Sequence, residues 1–177
     1  MDQQEIHHLR NSEDPYFKEF WELYSSAFPL TERRNSDQQI RSFRHPAYQV
    51  NHYRAENHFS GFIAFWSSQH FVFIEHFAIA SEVRGNGFGR AILKSFIENI
   101  EVPVILEIEI PFDELTHRRL NFYEAAGFKQ NNHHHVQPPY HPGDQPLPLT
   151  LLSYPHQLDG LLYKEFARFQ KGIVMQM

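Results

Sequence analysis

The chain has 177 residues, no cysteine and a formal charge of −5. This length suits one domain with a sizeable core, so a single domain over residues 1–177 is expected. The missing cysteines exclude disulfides, thiolate metal sites and a cysteine nucleophile, and the negative charge argues against a nucleic-acid partner. Hydrophobic residues make up 41% and aromatics 15%, which reads as globular rather than disordered. The opening MDQQEIHHLR is polar and acidic and does not read as a signal peptide. No apolar run approaches membrane-spanning length, so the expected location is the cytoplasm.

In chain order, Ile6–Arg10 is a short first strand. Asp14-Pro15 signals a helix start, and Phe17, Phe20, Trp21, Tyr24 and Ala27 follow at helical spacing until Phe28-Pro29. A second helix is expected after Thr31, holding Glu32, Arg33, Arg34, Ile40 and Phe43. Its Glu32-Arg33-Arg34 reads as a solvated face; alternatively the arginines hold an acidic ligand group. Tyr48–Ala55 and His58–Ser67 are antiparallel strands joined by a turn at Glu56-Asn57. Ser68-Gln69-His70 turns into the next strand. The aromatic density here (Phe59, Phe62, Phe65, Trp66, Phe71, Phe73) is core packing.

Residues 71–79 form a buried strand, FVFIEHFAI. Glu75 interrupts its apolar face, and His76 points the other way unless a bulge intervenes. A carboxylate there is costly unless it is hydrogen-bonded or faces a cleft. Next comes a turn holding Arg84, Gly85, Asn86, Gly87, Phe88 and Gly89, then a helix with Phe88, Ile92, Phe96, Ile97 and Ile100 on one face. Strand, glycine-rich turn and helix N-terminus make an anion site: the glycines admit close backbone approach and the helix dipole favours negative charge. Neither G-x-G-x-x-G nor G-K-[ST] is present, so a dinucleotide fingerprint and a nucleotide P-loop are not indicated.

Val102–Ile110 is another buried strand, with Ile105, Glu107 and Glu109 on one face. The two carboxylates suggest a polar cleft, or else they are solvated or paired with Arg118 or Arg119. Pro111 and Asp113 open a helix that Gly127 ends at its C′ position. The stretch 128–154 reads as two strands, 128–136 and 147–154, joined by a stiff loop with prolines at 138, 139, 142, 146 and 148. Of His133, His134 and His135, only the first and last share a face, and without a third ligand a zinc site is not expected. Leu158, Leu161, Leu162, Phe166 and Phe169 mark a closing amphipathic helix.

Two motifs carry a family resemblance. Arg84, Gly87 and Gly89 match the fixed positions of [RQ]-x-x-G-x-[GA], and Tyr123, Gly127 and Phe128 match a helix-ending Tyr followed by Gly-Phe. The chain thereby resembles the GNAT acyltransferases (Gcn5-related N-acetyltransferases). The resemblance implies an α/β fold: a mixed, mainly antiparallel, splayed sheet flanked by helices. It implies acetyl-CoA as co-substrate, with its pyrophosphate at Arg84, Gly85, Asn86, Gly87, Phe88, Gly89 and Arg90. Phe77 and Ile79 would supply backbone contacts to the acyl group and pantetheine, beside a β-bulge that opens a slot. Tyr123 would protonate the departing thiolate. The family's frequent Asn and Ala before that Tyr are replaced here by Thr116 and Arg119, so a cofactor contact by the Asn is not carried over.

On this reading the chain moves an acetyl group to an amine on a small molecule or peptide, with no metal. Glu75 is the first candidate base, because burial should raise its pKa toward a working range. Glu107 and Glu109 are runners-up. The proline-rich loop, anchored by Tyr140, is expected to border the acceptor site or a homodimer contact, with an exposed hairpin tip as the plainer alternative. Two other functions stay open: an acyl-CoA sensor without turnover, and transfer of a larger acyl group.

Overall fold

The computed structural model describes residues 4–55 and 57–177. Eight described strands form one sheet in the order β1-β2-β3-β4-β5-β8-β6, with β7 also pairing β8. The strands are β1 (Glu5–Leu9), β2 (Tyr48–Ala55), β3 (His58–Ser67), β4 (Val72–Ile79), β5 (Val104–Glu109), β6 (Lys129–Gln130), β7 (His135–Gln137) and β8 (Leu147–Tyr154). All pairs are antiparallel except β4–β5. The expected mixed, mainly antiparallel sheet is therefore present. The turn expected at Glu56-Asn57 falls partly outside the described residues; Asn57 itself has φ 64°.

Among the described residues five α-helices cover the sheet: α1 (Phe17–Ala27), α2 (Ser36–Ser42), α3 (Phe88–Ile97), α4 (Glu114–Ala125) and α5 (Gly160–Gly172). The period-2 alternation of the strands sends apolar side chains to both faces. On one face Val50, Phe62, Trp66, Phe71, Phe73 and Ile105 pack with Phe20 and Tyr24 of α1 and Phe166 of α5. On the other, Ile63, Phe65, Ile74, Val104 and Leu106 pack with Ile92, Leu93 and Phe96 of α3 and Leu120 and Tyr123 of α4.

Helix starts follow local capping chemistry. The Asp113 carboxylate accepts from the Thr116 N–H, and Thr116 returns the bond to the Asp113 N–H, opening α4. Asn35 and Gln38 do the same for α2. That capping box corrects the expected second helix. Leu30–Glu32 form a separate 3-10 turn, Arg33 is extended, and the helix begins only at Ser36. Asn35 satisfies the first free N–H groups where Thr31 would not. The expected strand 128–136 is also broken. Asn131 leaves the ladder because its side chain binds the Ser153 hydroxyl at 2.9 Å and the Leu158 N–H at 2.7 Å. His133 stacks on Tyr163 and His135 meets Glu107, so the two histidines do not converge on one point.

Two bulges shape the central hairpins. In β4, Phe65 pairs Ile74 and Ala64 pairs His76, which leaves Glu75 as the extra residue. In β3, Tyr53 pairs Gly61 and Arg54 pairs Phe59, which leaves Ser60 as the extra residue; next to it Gly61 has φ 152°, and a Cβ there would lie 2.3 Å from the Ala78 carbonyl oxygen. Gly61→Ala should therefore lose roughly 1–3 kcal/mol of stability, read as a lower urea midpoint with an unchanged m-value. A variant as stable as the parent would show that β3 and β4 can separate there without cost.

Candidate active site

The glycine-rich turn stands where the sequence puts it. Gly85 and Gly87 both have φ 82°, a left-handed conformation that glycine adopts without strain. Gly87 is the N-cap of α3, and no side chain caps that helix, so its first N–H groups are free to meet an anion. Arg84 Nε donates to the Ile79 carbonyl at 2.9 Å, which ties the turn to the end of β4. A cavity of about 700 Å³ runs past Arg84, Gly85, Gly87, Gly89 and Arg90. Asn86 and Phe88 do not line it. The cavity continues along Phe77, Ile79, Leu115, Phe122 and Tyr123 toward the sheet. An uncapped helix start beside open glycines is a fitting receptor for a diphosphate.

The sheet then opens. The strands β4 and β5 pair only at Val72–Val104, Phe73–Ile105 and Ile74–Leu106. Past Ile74 the bulge turns β4 away from β5, and the facing edges of both strands go unpaired. The bulge also settles the directions of the side chains. Glu75 and His76 both point to the α1 and α5 face, while Phe77 and Ile79 pack on the α3 and α4 face. An unbroken strand would set Phe77 and Ile79 on the Glu75 face; the one extra residue sends them to the other.

A second cavity of about 490 Å³ fills the gap. It shares Phe77, Ile79, Arg84, Arg119 and Tyr123 with the first, so the two meet at the splay. Tyr123 is buried, and burial, opposed by Arg119, pushes its phenol up to about 12. It stays protonated at any ordinary pH. The far wall of this cavity carries Glu32, Glu75, His76, Glu107, Glu109 and Tyr140.

Glu75 is buried completely, in a cluster of donors. Arg34 Nη1 reaches Oε2 at 2.7 Å, Trp66 Nε1 reaches the same oxygen at 2.7 Å, and the Tyr140 hydroxyl donates to Oε1 at 2.8 Å. Burial alone would raise this carboxyl. Arg34 first, then His76 and these hydrogen bonds, outweigh it and hold the group below the usual carboxylate range. The expectation of a pKa raised toward that of a base is therefore corrected. Arg34 overturns the solvated-face reading as well: it is 1% exposed, and its other nitrogen donates to the Val174 carbonyl at 2.8 Å. Its guanidinium lies 5.4–5.6 Å from the ring centroids of Tyr48, Trp66 and Tyr140.

The remaining carboxylates differ. Glu109 pairs with Arg119 at a half-exposed position. Glu107 is buried and accepts from His135, Gln137 and Gln170. Glu32 is pushed up by burial and by Glu109, with Arg119 opposing. The proline-rich loop is no exposed tip at Tyr140: that residue is buried, Gln38 holds its carbonyl, and His141 lies 3.0 Å from the carbonyls of Leu30 and Arg33. Sequence reasoning missed Arg34 and His76. For Arg34 the one available signal was its position beside a buried carboxylate's need for a cation.

Residues 48–130 match the family model for the acetyltransferase (GNAT) domain. Over that stretch the chain is similar to the GNAT acetyltransferases. A protein assigned to the GNAT-family acetyltransferases, from Bacteroides thetaiotaomicron, has the same fold at 29% identity and a TM-score of 0.90, covering 98% of this chain and 99% of that one. The ribosomal-protein-S18-alanine N-acetyltransferase of Escherichia coli is 17% identical, with a TM-score of 0.61 over 89% of this chain and 97% of that one. A GNAT acetyltransferase from Elizabethkingia anophelis, solved with acetyl-CoA bound, is 14% identical, with a TM-score of 0.57 over 86% and 98%. No curated protein matches the chain in sequence. Among the described residues no helix is long and apolar enough to cross a membrane.

The Arg34–Glu75 pair should dominate acid sensitivity. Glu75→Gln or Arg34→Met alone should cost about 3–5 kcal/mol, because each strands a buried charge or donor. The folded pKa of Glu75 lies below its ordinary 4.5. Its stabilisation is thus complete above that value and lost as pH falls through the folded pKa. Denaturant titrations across pH should show the parent losing stability on acidification and Glu75→Gln losing less. Parallel curves for the two proteins would refute the assignment.

Proposed function

We propose that the protein is an N-acetyltransferase that moves an acetyl group from acetyl-CoA directly onto an amine. The observation that supports this most is Tyr123, a protonated phenol at the junction of two cavities where β4 and β5 part. One cavity leads to an uncapped helix start, suited to a diphosphate. The other leads to a carboxylate-rich wall, suited to an amine.

On this reading Arg84, Gly85, Gly87, Gly89 and Arg90 surround the pyrophosphate, chiefly through backbone N–H groups. The pantetheine arm runs past Phe77 and Ile79. An N–H on the unpaired edge of β4 holds the thioester oxygen as it gains charge. The amine nitrogen forms a bond to the acyl carbon, the C–S bond breaks, and Tyr123 gives its proton to the sulfur. The proton that the ammonium loses passes to water in the cavity, and the Tyr123 phenolate recovers one from water. Glu75 is a positioning residue: it fixes Arg34, Trp66 and Tyr140 around the bulge. Its lowered pKa and capped oxygens favour that role over the base.

Tyr123→Phe keeps the ring and removes the hydroxyl. Acetyl-CoA binding should persist while single-turnover acetylation slows by about 10²–10⁴-fold. Undiminished chemistry would reduce Tyr123 to a packing residue. Gly87→Val meets no clash at its Cβ but forces a β-branched residue to φ 82°. The strain, roughly 1–3 kcal/mol, should distort the loop and weaken acetyl-CoA binding about tenfold in calorimetry. Parent-like affinity would remove the phosphate assignment.

A further inference from the structure

We infer that Arg119 is the cation that stabilises the CoA sulfur as the C–S bond breaks. The inference rests on the acetyl-transfer reading above and assigns a further residue to that reaction.

Arg119 stands where the two cavities meet. It lines both, as Tyr123 does. The two residues are four apart on α4, so their side chains lie one turn apart on the same helix face. The guanidinium does not hang free in solvent. Its Nη1 donates to Glu109 Oε2, which ties α4 to the end of β5 beside the gap in the sheet. Glu109 is the one hydrogen-bond partner of Arg119 among the described residues, and a guanidinium has five N–H donors. Donors therefore remain for a second anion. A half-exposed pair of this kind contributes little to stability, so folding alone gives no reason for it.

The charges around the junction show why a cation is needed. β4 brings Glu75 and His76, β5 brings Glu107 and Glu109, the 3-10 turn Glu32, the proline-rich loop Tyr140 and the glycine-rich turn Arg84. Arg34 neutralises Glu75. Arg84 is turned to the Ile79 carbonyl. Burial holds the His76 ring below its ordinary pKa, against the pull of Glu75. Glu107 accepts from one imidazole and two amides and pairs with no lysine or arginine among the described residues. Burial and Glu109 push the Glu32 carboxyl up, and Arg119 opposes them. A sulfur that gains charge here faces carboxylates, and Arg119 is the cation placed to offset them.

The proton donor leads to the same residue. Burial pushes the Tyr123 phenol up to about 12, and Arg119 is the group that draws it back. A cysteine-type thiol has a pKa of about 8.5. Proton transfer from this phenol to a free thiolate therefore runs uphill. A guanidinium beside both atoms stabilises negative charge on either. In the step the C–S electron pair moves to sulfur and the Tyr123 proton follows it. Arg119 keeps its protons while the charge passes from sulfur to phenolate, which water then reprotonates.

The chain has no cysteine, so CoA carries the only thiol in a complex of the two. Its ionisation is read as pH is raised, from the thiolate ultraviolet absorbance of the CoA complex minus that of the free protein. Parent, Arg119→Gln and Arg119→Lys are titrated at saturating CoA, and CoA affinity is measured by calorimetry. An opposite charge at close range moves a pKa by about 1–3 units. The bound thiol should therefore titrate at least about one unit higher in Arg119→Gln than in the parent, at parent-like CoA affinity. Arg119→Lys keeps the charge and should titrate nearer the parent. Equal titration in the parent and Arg119→Gln overturns the inference, and if CoA affinity falls in that variant without a thiol shift, Arg119 is a phosphate contact instead. An Arg119→Lys variant that titrates like Arg119→Gln traces the shift to repacking and overturns it too. Where CoA binds and its thiol is unmoved, only the role of Arg119 falls. Where CoA does not bind the parent, the acetyl-transfer reading fails and the inference falls with it.

Discussion

The buried ion pair between Arg34 and Glu75 ties the whole active region together. Arg34 comes from the link between α1 and α2, Glu75 from the bulge of β4, and the second Arg34 nitrogen from there reaches the chain's last turn at Val174. Tyr24 of α1 adds its hydroxyl to the Arg34 N–H at 2.8 Å. Four pieces of the chain thus meet at one arginine. A pair this deep is stable only because the desolvated charges are almost fully hydrogen-bonded. Arg34 Nε alone remains without a partner.

The bulge has two effects at once. It brings Glu75 and His76 to one face, where an unbroken strand would send them to opposite ones. It also ends the β4–β5 pairing after three residues, and so opens the sheet between two cavities. Tyr140 closes the arrangement from the proline-rich loop. Its hydroxyl completes the coordination of Glu75, and its carbonyl is held by Gln38. The loop, α2 and the bulge are therefore one mechanical unit, and a change in any of them reaches the cavity wall.

The glycine-rich turn depends much less on distant parts of the chain. Its conformation comes from Gly85 and Gly87, whose φ values no other residue type adopts as easily, and from the helix that follows. Such a site is encoded over a few consecutive residues. That is why Arg84, Gly87 and Gly89 were readable as a motif, and why Tyr123 before Gly127 could be placed beside them.

The sequence by itself determined what local physics determines: strands β2 and β3 residue for residue, the apolar faces of α1 and α3, the capped start of α4 and the glycine turn. The start of α2 was misplaced because Asn35 and Gln38 form a reciprocal cap that outweighs the continuous polar run before it. Only the tertiary structure decided the direction of the Glu75 shift, the burial of Arg34, and the face to which His76 points. Each of these depends on partners between 41 and 140 residues away or on a single extra residue in a ladder. Desolvation and Coulomb attraction at Glu75 are large and opposed. Which one prevails is fixed by where the chain brings a cation, and the order of the residues does not state that.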